Sequence, residues 1–327
     1  MKTKITVFFL LNCLFVVEIW ACDVCNIFEY NTINNRSFIG LFYRHRVFNG
    51  YQHLDHNHNV LPYRKAILHE PEDAGFMADK TQADYETYTT WEIRANYTWK
   101  NKVNLMMILP YRRNVIHYEK IIEAPIPVRD STMEIKGWGD AVLAADYMFK
   151  KESKNGKHIF RPGLAVNIPT GQYQKSNEFD QAFDPIVQPG TGAWAVILRM
   201  NYQYFNIVNE YGFNVSASYK KSETGRNQYL FADSYNFQSE LFYQFSKGLW
   251  NVIPKAGCYV ESAGYNFYAE TIQNLTGGNS LFGNIGIDVN RKNVTFQTLF
   301  QQPVYEDLNG NQLGNAGRLT LGVIYNL

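Results

Sequence analysis

The chain is patterned with period two. From residue 85 to 99, Tyr85, Thr87, Thr89, Trp91, Ile93, Ala95, Tyr97 and Trp99 alternate with Glu86, Tyr88, Thr90, Glu92, Arg94, Asn96 and Thr98. Successive side chains of an extended strand point to opposite faces, so this pattern predicts a strand with one apolar and one polar face. Strands of soluble proteins usually run about 5–6 residues, whereas a strand that crosses a bilayer needs about 9–11. Similar stripes recur along 103–111, 141–149, 160–168, 194–202, 211–219, 235–245, 250–260, 281–289, 294–300 and 319–327, with a less regular first segment near 36–48.

The connections carry a second signal. Short turns are predicted at 100–102, 150–157, 206–209, 246–248 and 291–293. They alternate with longer links at 49–83, 118–133, 169–189, 222–233, 263–279 and 303–316. Short periplasmic turns alternating with long extracellular loops mark an outer-membrane barrel, and an even strand count puts both ends on the periplasmic side. The expected fold is therefore all-β: a transmembrane antiparallel up-and-down β-barrel of about 12 strands. Its inward positions would carry Glu92, Arg94, Asp140, Asp146, Arg199, Glu240 and Lys255 as lumen-lining charges, together with Lys220, Glu261 and Asp288. In a secreted soluble sandwich, the alternative, these charges would instead face solvent.

Composition narrows the choice. Aromatic residues make up 16% of the chain and charged residues 19%. Mean hydropathy is −0.32, too polar for a bundle of membrane helices, and no run of about 18 apolar residues follows residue 20. A formal net charge of +1 gives no basic field for nucleic acid. Lys2 and Lys4, the apolar run from Ile5 to Val17, and Ala21 resemble a secretory signal over residues 1–21. Residues 22–35 would then form a periplasmic or plug segment and 36–327 the barrel. The expected location is the outer membrane of a Gram-negative bacterium. Its partners there would be membrane lipid, the barrel-assembly machinery and a small solute.

Two clusters suggest chemistry beyond a lining. Cys22-Asp23-Val24-Cys25 spaces two thiols for a soft metal, a redox pair or a small disulfide. Asn26 stands where haem attachment would need His. His53, His56 and His58, in the first long link, could share a transition metal, although a polar loop that is simply His-rich explains them too. Some outer-membrane barrels are lipases, which need His and Ser together on the outer face with an orienting partner. No segment here supplies that set, so an enzyme is not expected. A passive channel or transporter for small solutes, with no cofactor, is the leading expectation. The alternatives are a metal-binding barrel using Cys22, Cys25, His53, His56 and His58, and, third, an outer-membrane enzyme.

Three glycine motifs carry a resemblance: Gly137-Trp138-Gly139-Asp140, Asn167-Ile168-Pro169-Thr170-Gly171 and Pro189-Gly190-Thr191-Gly192. In this order they resemble the bacterial outer-membrane barrel family associated with meta-pathway phenol degradation, over roughly residues 80–327. The resemblance implies a transporter-like barrel and passage of small, partly apolar molecules; it does not imply that phenol is the solute. By themselves such glycines suit strand ends where the chain bends or runs close to a neighbour. Leu327 departs from the aromatic ending usual in outer-membrane barrels, while Tyr325 keeps the alternation.

Overall fold

A computed structural model describes residues 37–51, 77–79, 83–123, 126–177, 180 and 182–327. Twelve barrel strands follow one another in sequence. They are β1 (Phe38–Tyr51), β2 (Tyr85–Trp99), β3 (Val103–Glu123), β4 (in three pieces, Ile126–Trp138, Ala141–Tyr147 and Phe149–Glu152), β5 (Gly156–Ile168) and β6 (Ala195–Asn206). Then come β7 (Tyr211–Ser222), β8 (Ser234–Tyr243 with Phe245–Lys247), β9 (Trp250–Ala263), β10 (Gly278–Arg291), β11 (Val294–Leu308) and β12 (Leu313–Asn326). Each pairs antiparallel with the next, and β12 returns to β1 from Phe38↔Asn326 to Tyr51↔Leu313. Closure leaves no sheet edge to face lipid, the condition for a β-structure to span a membrane.

The side chains are sorted the opposite way from a soluble protein. Leu41 is 63% exposed and Leu198 54%, whereas Arg94 and Arg161 are 2%. Leaving a Leu-sized side chain in water rather than burying it costs about 1.5–3 kcal/mol. A continuous outer surface of such residues is stable only against lipid. Aromatic rings bound this surface at both ends. Trp91 and Trp99, Trp194 and Tyr202, Tyr211 and Tyr219, and Tyr235 and Tyr243 are pairs eight positions apart on the outer face. Eight residues span about 26 Å along a strand, or about 20 Å along the normal of a barrel tilted by about 40°, near the ~25 Å apolar band of outer-membrane barrels. One end of the band is visible as a row across four strands: Tyr43–Trp91 at 5.8 Å, Trp91–Tyr111 at 6.2 Å and Tyr111–Trp138 at 5.4 Å.

The short turns lie together at the opposite end. Lys100 and Asn101 both take positive φ, and the Lys102 amide donates to the Trp99 carbonyl at 3.0 Å, closing a tight hairpin. The two ends of the barrel meet there as well, with the Leu327 amide donating to the Ser37 carbonyl at 2.9 Å.

The long connections differ from the sequence expectation. Most of the link at 118–133 is strand: β3 runs to Glu123 and β4 begins at Ile126, so the two form a tall hairpin. Strand also fills much of 303–316, and the predicted turn at 150–157 narrows to the residues between Glu152 and Gly156. The cause is the end of the lipid layer. Above Tyr111 and Trp138 the outward positions carry Arg113, Glu134 and Lys136, which pair with one another, so strand continues without an apolar stripe to announce it.

Candidate functional site

Among the described residues, the barrel interior is where charge is concentrated away from solvent. Glu92, Arg94, Asp140, Asp146, Arg199, Glu240 and Lys255 all lie on it and are buried, as do Lys220, Glu261 and Asp288. Most of these charges are neutralised in pairs. Arg199 Nε meets Asp146 Oδ1 at 3.0 Å, and Lys255 Nζ meets Asp288 Oδ1 at 3.3 Å. Arg318 grips Glu261 with both terminal nitrogens. Glu92 receives Arg94 Nε at 2.8 Å and Arg44 from the neighbouring strand. A buried ion pair of this kind is held by its remaining hydrogen bonds, and removing one partner strands the other charge.

Asp140 has a different role. It sits where β4 breaks between Trp138 and Ala141, and its hydrogen bonds come half from backbone and half from side chains. Oδ1 accepts the Gly171 N–H at 3.0 Å. Oδ2 accepts the Thr191 N–H at 2.9 Å, the Thr191 hydroxyl at 2.5 Å and the Asn167 side-chain amide at 3.1 Å. The three glycine motifs thus converge on a single carboxylate. The glycines permit the approach. A Cβ on Gly171 would lie 2.6 Å from the carbonyl carbon of Gly139, and one on Gly190 would lie 2.6 Å from the carbonyl carbon of Gly171. From sequence these motifs read only as separate strand ends.

The knot anchors the loop between β5 and β6. Gln172 N–H donates to the Trp138 carbonyl at 2.9 Å, so the loop begins by covering the edge of β4 above its break. Gln188 holds the loop's two limbs together through the Lys175 amide and carbonyl, at 3.0 and 2.8 Å. Farther on, the loop leans over the mouth: inward-facing Asn114 donates to the Val187 carbonyl at 2.7 Å. Asp184 reaches the region of Glu86, where the two carboxylates repel each other. Desolvation by the protein around the mouth raises the Asp184 carboxyl above its ordinary value although part of the residue stays exposed, and the Ile186 N–H offsets this in part.

Several lumen charges escaped the sequence reading, Arg161, Arg318, Arg44 and Arg112 among them. Arg44 lies on the irregular first strand, and Arg112 lies in what looked like the end of an apolar stripe. Both are paired in register with Thr90, which places them on the same inward row. The continued alternation Pro110–Arg112–Asn114 was the available signal. The signal segment 1–21, the segment 22–35, and Cys22, Cys25, His53, His56 and His58 lie outside the described residues. Among the described residues no group of three or more His, Cys, Asp or Glu side chains is arranged to hold a metal.

The barrel is similar to known structures. The COG4313 outer membrane channel from Pseudomonas putida F1 superposes with a TM-score of 0.59 at 15% identity, covering 91% of this chain and 98% of that one. The beta domain of the Bordetella autotransporter BrkA has a TM-score of 0.47 at 10% identity, covering 90% and 100% of the two chains. A Pseudomonas aeruginosa FadL homologue has a TM-score of 0.38 at 9% identity, covering 89% and 90%. No protein-family profile matches the chain, and no curated protein matches it in sequence, so the resemblance to the phenol-degradation barrels rests on the glycine motifs. At 15% identity a structural likeness shows the fold: the chain folds as a closed twelve-stranded outer-membrane β-barrel.

Proposed function

We propose that the chain is a non-enzymatic channel in the outer membrane of a Gram-negative bacterium, through which small solutes diffuse passively along the lumen. The observation that carries this reading is the inverted sorting of side chains. Charged and amide groups line much of an interior closed off from lipid, beside two small apolar clusters, one around Ile108, Val142 and Ile197 and one of Phe38, Phe42 and Ile324. A polar, charge-lined lumen is how channels replace the hydration shell of a passing solute.

The close pairing of Asp146 with Arg199 and of Lys255 with Asp288, and the loop anchored at Asp140, favour solutes of small cross-section. Rings lie among the charges, with the Arg94 guanidinium 4.1 Å from the Phe42 ring centroid and that of Arg318 4.1 Å from Phe282. Such a lining accepts solutes that are partly apolar.

Liposome swelling tests the proposal. Purified protein reconstituted in lipid should admit small sugars and amino acids at rates that fall as solute size rises. Vesicles that stay as tight as protein-free ones for every solute would defeat it.

A further inference from the structure

Arg44, Arg94 and Arg112 project into one sector of the lumen from three adjacent strands, β1, β2 and β3. Thr90 lies between Arg44 and Arg112 in the same row, and Arg94 lies below them on the strand of Thr90. The one acid bonded to this group, Glu92, is shared by Arg44 and Arg94. The donors outnumber the acceptors. Arg44 Nε and Arg94 Nη1 are buried and have no hydrogen-bond partner, and the Arg94 side chain is only 2% exposed. Arg112 makes no hydrogen bond or ion pair with any described residue and is attracted electrostatically by Asp140 and Glu92. The oxygens of Asp140 are themselves occupied by Gly171, Thr191 and Asn167.

Buried guanidinium N–H groups without acceptors are costly, and they are satisfied by an oxyanion in the plane of the fork. Three guanidiniums against the carboxylates of Glu92 and Asp140, with Arg46 close enough to repel Arg112, leave this sector of the lumen positive, as a site for an anion requires. The walls beside the charges are apolar: the Phe42 ring lies against Arg94, and Ile108 and Pro110 share the inward face of β3. We infer that Arg44, Arg94 and Arg112 form a binding site for the carboxylate of a small organic acid with an apolar body. The inference deepens the channel reading by naming the class of solute that pauses in the lumen, and it depends on that reading only for how the acid arrives.

Calorimetric titration of the detergent-purified protein with benzoate tests it, with benzyl alcohol and inorganic phosphate as comparison probes. Benzoate should bind saturably and more tightly than either. Arg112→Gln should weaken it by about tenfold, the loss of one charge-assisted contact. Lys136→Gln, on the outer face, should bind as wild type does. Equal binding of benzoate and benzyl alcohol to the wild type would overturn the site without relying on any variant. So would an Arg112→Gln protein that folds and binds benzoate as tightly as wild type. Phosphate binding more tightly than benzoate would overturn the organic-acid assignment. Arg112-dependent binding in a protein that leaves liposomes sealed would remove the channel and keep the site; swelling without Arg112-dependent binding would do the reverse.

Discussion

Asp140 and Thr191 are 51 positions apart in the chain, yet one oxygen of the Asp140 carboxylate accepts both the backbone N–H of Thr191, at 2.9 Å, and its hydroxyl, at 2.5 Å. With Gly171 on the other oxygen, both ends of the loop between β5 and β6 hang from one side chain. The conformation of the mouth therefore depends on a charge set in the barrel wall.

Asp140→Asn should release this loop. The amide keeps the shape but cannot accept at both positions, and each hydrogen bond to a charged group contributes about 1.5–3 kcal/mol. Hydrogen exchange in residues 169–192 should quicken by at least about tenfold, while exchange in β9 and β10 stays unchanged. Uniform protection across the loop in the variant would show that Asp140 does not hold it.

Close backbone approach makes a second prediction. A Cβ at Gly257 would fall 1.9 Å from the Ser239 carbonyl oxygen, a contact neither strand can relieve by rotating a side chain. Gly257→Ala should lower the folded, heat-modifiable fraction on gels. Gly264→Ala, whose Cβ would meet only the Ala232 methyl at 3.7 Å, should assemble normally.

The lipid face can be probed at Leu198, midway between Trp194 and Tyr202 and 54% exposed. Leu198→Arg puts a charge near the bilayer midplane and should destabilise the barrel by about 2–4 kcal/mol in urea titrations in lipid. Val208→Arg, at a turn among exposed residues, should change stability by less than about 1 kcal/mol. Equal effects would place the apolar band elsewhere.

Asp184 predicts a pH dependence of loop docking. Its carboxyl keeps an exposed surface, but the protein crowded around it at the mouth raises it in the docked state, so docking favours the protonated form. That stabilisation is complete below the ordinary carboxylate value and is lost as pH rises through the raised one. After correction for intrinsic rates, exchange around Ile186 should quicken between acidic and neutral pH. Asp184→Asn should remove most of the change, leaving whatever Glu86 contributes.

The barrel was legible because lipid imposes a rule on every second residue. From Trp91 to Trp99 each outward side chain must be apolar or interfacial and each inward one polar, and that constraint is written in consecutive letters. Once the strand rises above Tyr111 the rule lapses, and residues 118–123 looked like part of a link although they continue the sheet. Asp146 and Arg199 could be read singly as lumen charges, but their pairing joins strands 53 positions apart, which no local pattern records. The Asp140 knot was illegible for the same reason. Its glycines were visible in three places, and only the fold shows that they are one place.

Single-channel recording in a planar lipid bilayer tests the central claim most directly. The wild type should give discrete current steps in potassium chloride, and Asp140→Asn should give larger or more frequent ones as the loop is freed. A bilayer that stays silent with both proteins, each shown to be folded and inserted, would contradict the channel.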